Sequence, residues 1–192
     1  MKAIASIPST RTRLLALLAV AAMLAACGQA AATGPETVTT ADGLAAGDEI
    51  PEPQSKTIVT VRGDISTSNG ADGISLDLDT IADMPMTEAT IFEPFVKTDV
   101  TFTGVMLSDF LEIVGANPNA KKIFMTALDE YSVEVSIAEA VASSAMLAIE
   151  EDGKPIKVRH GGPARIVFLT DTKMAANTDM WIWSVNRMKV NP

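Results

Sequence analysis

The chain has 192 residues, with 24 acidic against 15 basic side chains, a formal charge of −9, one His and one Cys. Such a balance excludes nucleic acid as a partner, because phosphate backbones are held by clustered Lys and Arg. A single Cys excludes an intramolecular disulfide, and one His with no Cys beside it makes a poor metal site, so stability has to come from a packed core.

In chain order, the first feature is an export signal. Lys2, Arg11 and Arg13 precede the apolar run LLALLAVAAMLAA, Leu14 to Ala26. The run is well short of the ~20 residues a membrane-spanning helix needs. With a basic start and small residues at its end, it reads as a signal peptide over residues 1–26. Leu24-Ala25-Ala26-Cys27, followed by Gly28, matches the lipobox of bacterial lipoproteins. The Cys27 thiol is expected to take a diacylglycerol, with cleavage before it and acylation of the new amine by a palmitate-class chain. Each buried methylene contributes ~0.8 kcal/mol, so two or three chains anchor firmly where one does not. Gly28 is not the Asp that often retains lipoproteins in the inner membrane, so the expected position is the periplasmic side of the outer membrane. A lipidated Cys27 leaves no free thiolate for a metal or a nucleophile.

Removing Lys2, Arg11 and Arg13 leaves 12 of the 15 basic residues against all 24 acidic ones. Anionic headgroups would repel this chain, so the lipid makes the attachment. Residues 28–55 are rich in Ala, Gly, Thr and Pro, with five acidic residues and no basic ones. They are expected to form a flexible tether reaching roughly 30 Å as a random coil. From Lys56 to Pro192 the texture is that of one packed domain.

Within that domain, Thr57–Arg62 alternates as a strand, as does Ile74–Leu78, with a helical turn over Asp79–Asp83 stopped by Pro85. Glu88–Phe92 and Val96–Phe102 are strands. Leu107–Val114 is an amphipathic helix ending at Gly115. Lys122–Ala127 and Tyr131–Val135 flank Asp129-Glu130 as a hairpin. Ser136, with Glu139 three residues on, opens a short helix as a capping box. Met146–Glu150 and Pro155–Val158 flank the Asp152-Gly153 turn. Arg165–Thr170 and Trp181–Val190 close the domain as strands, placing Trp181 and Trp183 on one strand face. Strands outnumber helices and few βαβ units are available, so the fold class is α+β with mostly antiparallel pairing.

Several segments resemble the sulfite oxidase-type fold, the "oxidoreductase molybdopterin-binding domain" family, in family order over residues 57–190. Phe102-Thr103-Gly104-Val105-Met106-Leu107 through Leu111 resembles its strand-to-helix turn. Ala127-Leu128-Asp129-Glu130-Tyr131-Ser132-Val133 resembles its hairpin, and Met146–Glu150 with Gly153-Lys154-Pro155-Ile156 a second one. His160-Gly161-Gly162-Pro163-Ala164-Arg165-Ile166-Val167 matches "H-G-x-P-x-R-l-v", the most telling element, and Trp183 to Val190 resembles the terminal strand. The resemblance implies a cofactor cleft near His160–Arg165. His160, Gly161, Gly162, Arg165 and Lys173 are the candidate anion- or pterin-binding residues. A Gly-Gly-Pro loop can aim backbone N–H groups at an anion. Arg165 either grips a phosphate bidentately or pairs with a carboxylate, and the second alternative is preferred.

The chain also departs from the family. Catalytic members bind molybdenum through a Cys in the segment before the Phe-Thr-Gly turn; here that segment is Thr90-Ile91-Phe92-Glu93-Pro94-Phe95-Val96. Soft thiolate is the ligand suited to that metal. The loop Thr170–Met180 contains no Gly and offers Lys173 as its one basic residue. The expected function is therefore a membrane-anchored, non-catalytic module for a small anion or a protein partner, with no bound cofactor, no metal and no catalytic residue. Two alternatives stay open: a molybdopterin-dependent oxidoreductase with an atypical metal ligand, and a scaffold lipoprotein of a membrane complex. The methionines, Met84, Met86, Met174 and Met180 among them, read as core filling ahead of copper ligation.

Overall fold

The computed structural model describes residues 36–38 and 43–192, with side chains from residue 43 onward. The expected signal peptide, residues 1–26, and Cys27 lie outside the described residues.

The described elements run β1 (Glu36–Val38), β2 (Val59–Gly63), β3 (Ile74–Leu76), α1 (Leu78–Ala82), β4 (Met86–Glu93), β5 (Thr98–Met106), α2 (Leu107–Ile113), β6 (Lys122–Ala127), β7 (Ser132–Ser136), α3 (Ile137–Ala142), β8 (Ala145–Glu151), β9 (Lys154–Pro155), β10 (Arg165–Phe168) and β11 (Val185–Asn191). They form two sheets. One is ordered β1-β4-β5-β8-β10, with β9 pairing on β8; the other is β3-β2-β11-β6-β7. Every pairing is antiparallel except β2 with β11. The fold is α+β, sheet-dominated with short helices.

The alternation in the sequence decides which face of each strand is buried. β2 buries Val59 and Val61 and leaves Arg62 exposed. β11 buries Val185, Met188 and Val190, with a bulge against β6 between Val185 and Arg187 that resets the alternation. α2 turns Leu107, Phe110, Leu111 and Ile113 inward. α3 is capped by the Ser136 hydroxyl, which accepts from the Glu139 N–H. Met84, Met125 and Met146 are fully buried in the same apolar cluster, and Met174 and Met180 pack at its edge.

Three expectations are corrected. The tether does not extend to residue 55: Leu44 and Ile50 are buried in the core, and Leu44 N–H donates to Asp83 O at 2.7 Å. What looked like linker composition conceals two apolar side chains, and the N–H groups of Gln54 and Ser55 donate to the buried carboxylate of Asp77 at 2.8 and 2.9 Å. The strand proposed over Pro155–Val158 stops at Pro155, and Val158–His160 is a 3-10 turn. Trp181 and Trp183 precede β11; the chain is broken by Ser184, at φ 51, so the two indoles pack separately.

Candidate functional site

The site is built where β4 ends. Glu93 closes that strand, and its side chain folds back into its own turn. Its Oε2 accepts the N–H groups of Phe95 and Val96, both at 2.7 Å. Its Oε1 accepts Arg165 Nη2 at 2.7 Å. Arg165, at the start of β10, and Glu93 keep side-chain exposures of only 3% and 2%. Arg165 Nη1 donates to His160 O at 3.1 Å. The guanidinium lies 4.7 Å from the Trp183 ring centroid and 5.4 Å from that of Phe102. Burial pulls the guanidinium below its usual range, while the hydrogen bond and charge of Glu93, and the charge of Glu151, hold it up. A guanidinium this basic stays charged.

Arg165 thus spends two of its five N–H donors on protein acceptors, Glu93 and His160 O. Its Nε is buried without a partner among the described residues, as is Trp183 Nε1. Glu93 occupies the Nη2 side of the guanidinium, with two backbone N–H groups and that arm already on it.

The Gly161-Gly162 loop is turned to internal bonds too. The N–H groups of His160, Gly161 and Gly162 donate to Lys157 O, Val158 O and Lys157 O at 2.8, 3.0 and 2.9 Å. The Gly161 and Gly162 carbonyls accept the N–H and hydroxyl of Ser184, both at 2.6 Å. A Cβ on Gly161 would stand 2.7 Å from Trp183 Cγ, and one on Gly162 would stand 1.9 Å from Ile156 O. Both positions need glycine because protein, not ligand, approaches them.

The His160 ring makes no bond to Arg165. Its Nδ1 pairs with Glu151 Oε1, and its Nε2 accepts from Arg159 Nε at 3.2 Å. Arg159 can only donate, so this network assigns the ring hydrogen to Nδ1. Lys173 is exposed and lines a separate cavity of about 370 Å³ with Glu139, Ser143, Met174 and Met180. Of the five residues proposed from the sequence, the structure links His160 to Arg165 through a main-chain carbonyl and leaves Lys173 on that other cavity.

A second space opens beside the ion pair. Phe95 packs edge-on against Trp183, centroids 5.1 Å apart. Together with Tyr131, Trp181, Asp129 and Asp179, these two rings line a cavity of about 360 Å³. The Tyr131 hydroxyl donates to Asp179 O at 3.0 Å and ties the two walls together. Trp181 is fixed by Nε1 donating to Ala175 O at 2.8 Å and by an edge contact with Phe168. Sequence reasoning singled out the two Trp but missed Glu93 and this cavity. A lone Glu between a strand and a Pro carries no periodic signal, and the cavity joins segments about fifty residues apart.

Residues 75–186 match the family described as the oxidoreductase molybdopterin binding domain. The chain belongs to that family. A stretch of 65 residues is 29% identical to the protein named "Putative protein-methionine-sulfoxide reductase subunit YedZ1" of Azospira oryzae, covering 34% of this chain and 25% of that protein. The sulfane dehydrogenase SoxCD of Paracoccus pantotrophus superposes with a TM-score of 0.52 at 18% identity, over 69% of this chain and 37% of that one. That likeness shows the fold. The chain thus covers about a quarter of the first relative and little more than a third of the second.

The molybdopterin-binding family implies a metal-pterin, and the residues present do not fit one. The segment that carries the thiolate in catalytic members holds Glu93, already bonded to Arg165, Phe95 and Val96. The chain's one thiol, Cys27, lies outside residues 75–186. The Gly-Gly loop has no free N–H to offer a phosphate among His160, Gly161 and Gly162.

Proposed function

We propose that this member of the molybdopterin-binding family is a non-catalytic binding module, held on the periplasmic face of a membrane by lipid on Cys27. The observation that carries the reading is the buried Glu93–Arg165 pair: an internal carboxylate already occupies the Nη2 side of the guanidinium. To reach Arg165, an external anion has to displace Glu93 from the guanidinium and itself be desolvated. The lipid anchor rests on the sequence pattern Leu24–Cys27. Its consequence is that Cys27→Ser moves the protein from the membrane to the soluble periplasmic fraction and abolishes palmitate labelling.

The test is metal and pterin content. The full chain, exported in a host that makes molybdenum cofactor, is assayed for molybdenum by mass spectrometry and for pterin by fluorescence after oxidation. Neither is expected at more than trace level. Near-stoichiometric molybdenum and pterin would overturn the reading. They would favour the second one, an oxidoreductase with an atypical metal ligand, for which family membership is the supporting observation.

A further inference from the structure

The cavity beside the ion pair has a composition of its own. Its lining is Phe95, Tyr131, Trp181 and Trp183, with Ala127, Thr178 and the carboxylates of Asp129 and Asp179. Among the described residues, no Lys, Arg or His lines it. Phe95 and Tyr131 are 43% and 44% exposed, so both offer ring surface to the space. Trp183 already gives a ring face to Arg165, and that charge is neutralised by Glu93 behind it.

Neither carboxylate is engaged by a cation among the described residues. Asp129 Oδ1 accepts only the Tyr131 N–H, at 3.1 Å, and Asp179 has no side-chain bond. Both are exposed at the mouth. Their neighbours Glu130 and Arg187 neutralise each other. Aromatic faces carry negative potential at their centres and attract a poorly hydrated cation, which carboxylates at the rim would reinforce. An anion meets two like charges here, and a neutral apolar ligand gains nothing from them. The volume, about 360 Å³, lies at the lower end of small-molecule sites.

We infer that the cavity between the Asp129–Tyr131 turn and the Thr178–Trp183 segment binds a small organic cation of the quaternary-ammonium type. The inference rests on the binding-module reading and names its ligand class. The ammonium group sits against Phe95 and Tyr131, with Asp129 and Asp179 at the mouth. Trp181 and Trp183 form the floor, one fixed by Ala175 O and the other by the Arg165 stack.

The experiment uses two probes of one shape: choline, and 3,3-dimethylbutan-1-ol, which replaces the ammonium nitrogen by carbon. Each is titrated calorimetrically into the full-length lipidated chain in detergent. Choline is expected to bind saturably, and the neutral alcohol about tenfold or more weaker. Asp129→Asn with Asp179→Asn should weaken choline about tenfold at an unchanged melting temperature. Tyr131→Leu should weaken it similarly, while Tyr131→Phe, which keeps the ring, should retain most of the affinity. Equal affinity for the two probes, or no saturable choline binding at millimolar concentration, would overturn the inference. Molybdenum and pterin are measured on the same sample. Choline binding with a full complement of both would uphold the cation site and sink the non-catalytic reading. Absence of all three would sink the cation site alone.

Discussion

Replacing Glu93 by Gln keeps the shape of the side chain and removes its charge. In the wild-type protein this carboxylate accepts three bonds, from Arg165 Nη2 and from the N–H groups of Phe95 and Val96, each at 2.7 Å. One amide oxygen cannot serve both sides, so either the guanidinium or the turn loses its acceptor. Arg165, at 3% side-chain exposure, then carries an uncompensated charge. Removing one partner of such a pair costs about 3–5 kcal/mol. For a domain of this size each kcal/mol lowers the melting temperature by about 2–4 °C, so a fall of about 10 °C is expected. Denaturant titration of Glu93→Gln, Arg165→Met and the double variant measures it. Each single change should show the full loss. The double variant, which removes both charges, should recover at least about 2 kcal/mol relative to their sum, the size of coupling seen between contacting charged residues. A single-variant loss below about 1 kcal/mol, or strict additivity, would refute the claim that the pair holds this end of the fold together.

Three further outcomes follow from the geometry. Asp77, buried and accepting from Thr80, Ser55 and Gln54, is held well below the ordinary carboxylate range, chiefly by the Thr80 hydroxyl bond. Its contribution is complete above the unfolded-state value of about 4 and is lost as pH falls through the folded one. Asp77→Asn should therefore destabilise at pH 7 and converge on the wild-type protein in strong acid; a gap that persists there would contradict the assignment. Gly162→Ala, whose Cβ would stand 1.9 Å from Ile156 O, should lower stability by at least about 2 kcal/mol in thermal unfolding, since backbone has to move. A chain beginning at residue 56 should be less stable than one beginning at residue 43. It loses the burial of Leu44 and Ile50, about 1.5–3 kcal/mol for each side chain.

Strand and helix positions were largely readable because their signals are local. Ser136 with Glu139 marks a cap, Asp152-Gly153 marks a turn, and Val59 and Val61 mark an inward face. Where reading failed, the deciding partner was distant in sequence. Ile50 looks like linker until Asp77 gives Gln54 and Ser55 their acceptor, more than twenty residues away. Trp181 and Trp183 look like alternate positions of one strand until Ser184 breaks it. The basic motif His160–Arg165 was visible, and pairing of Arg165 with a carboxylate was the preferred alternative. Its partner Glu93, 72 residues upstream, could not be singled out from 24 acidic residues.

The place of β11 sets an order of assembly. This final strand lies between β2 and β6, pairing residues 187–190 with 60–63 on one side and residues 185–191 with 122–127 on the other. Until it arrives, β2–β3 and β6–β7 are two separate hairpins, each with an open edge and an unburied apolar face. Pairing β11 with β2 joins positions 127 residues apart, Arg187 with Thr60, and a closure of that length slows folding. The second sheet therefore forms only after β11 is in place, while the first sheet, which lacks β11, carries no such requirement. Loss of only residues 185–191 would cost the whole second sheet, not one strand of it.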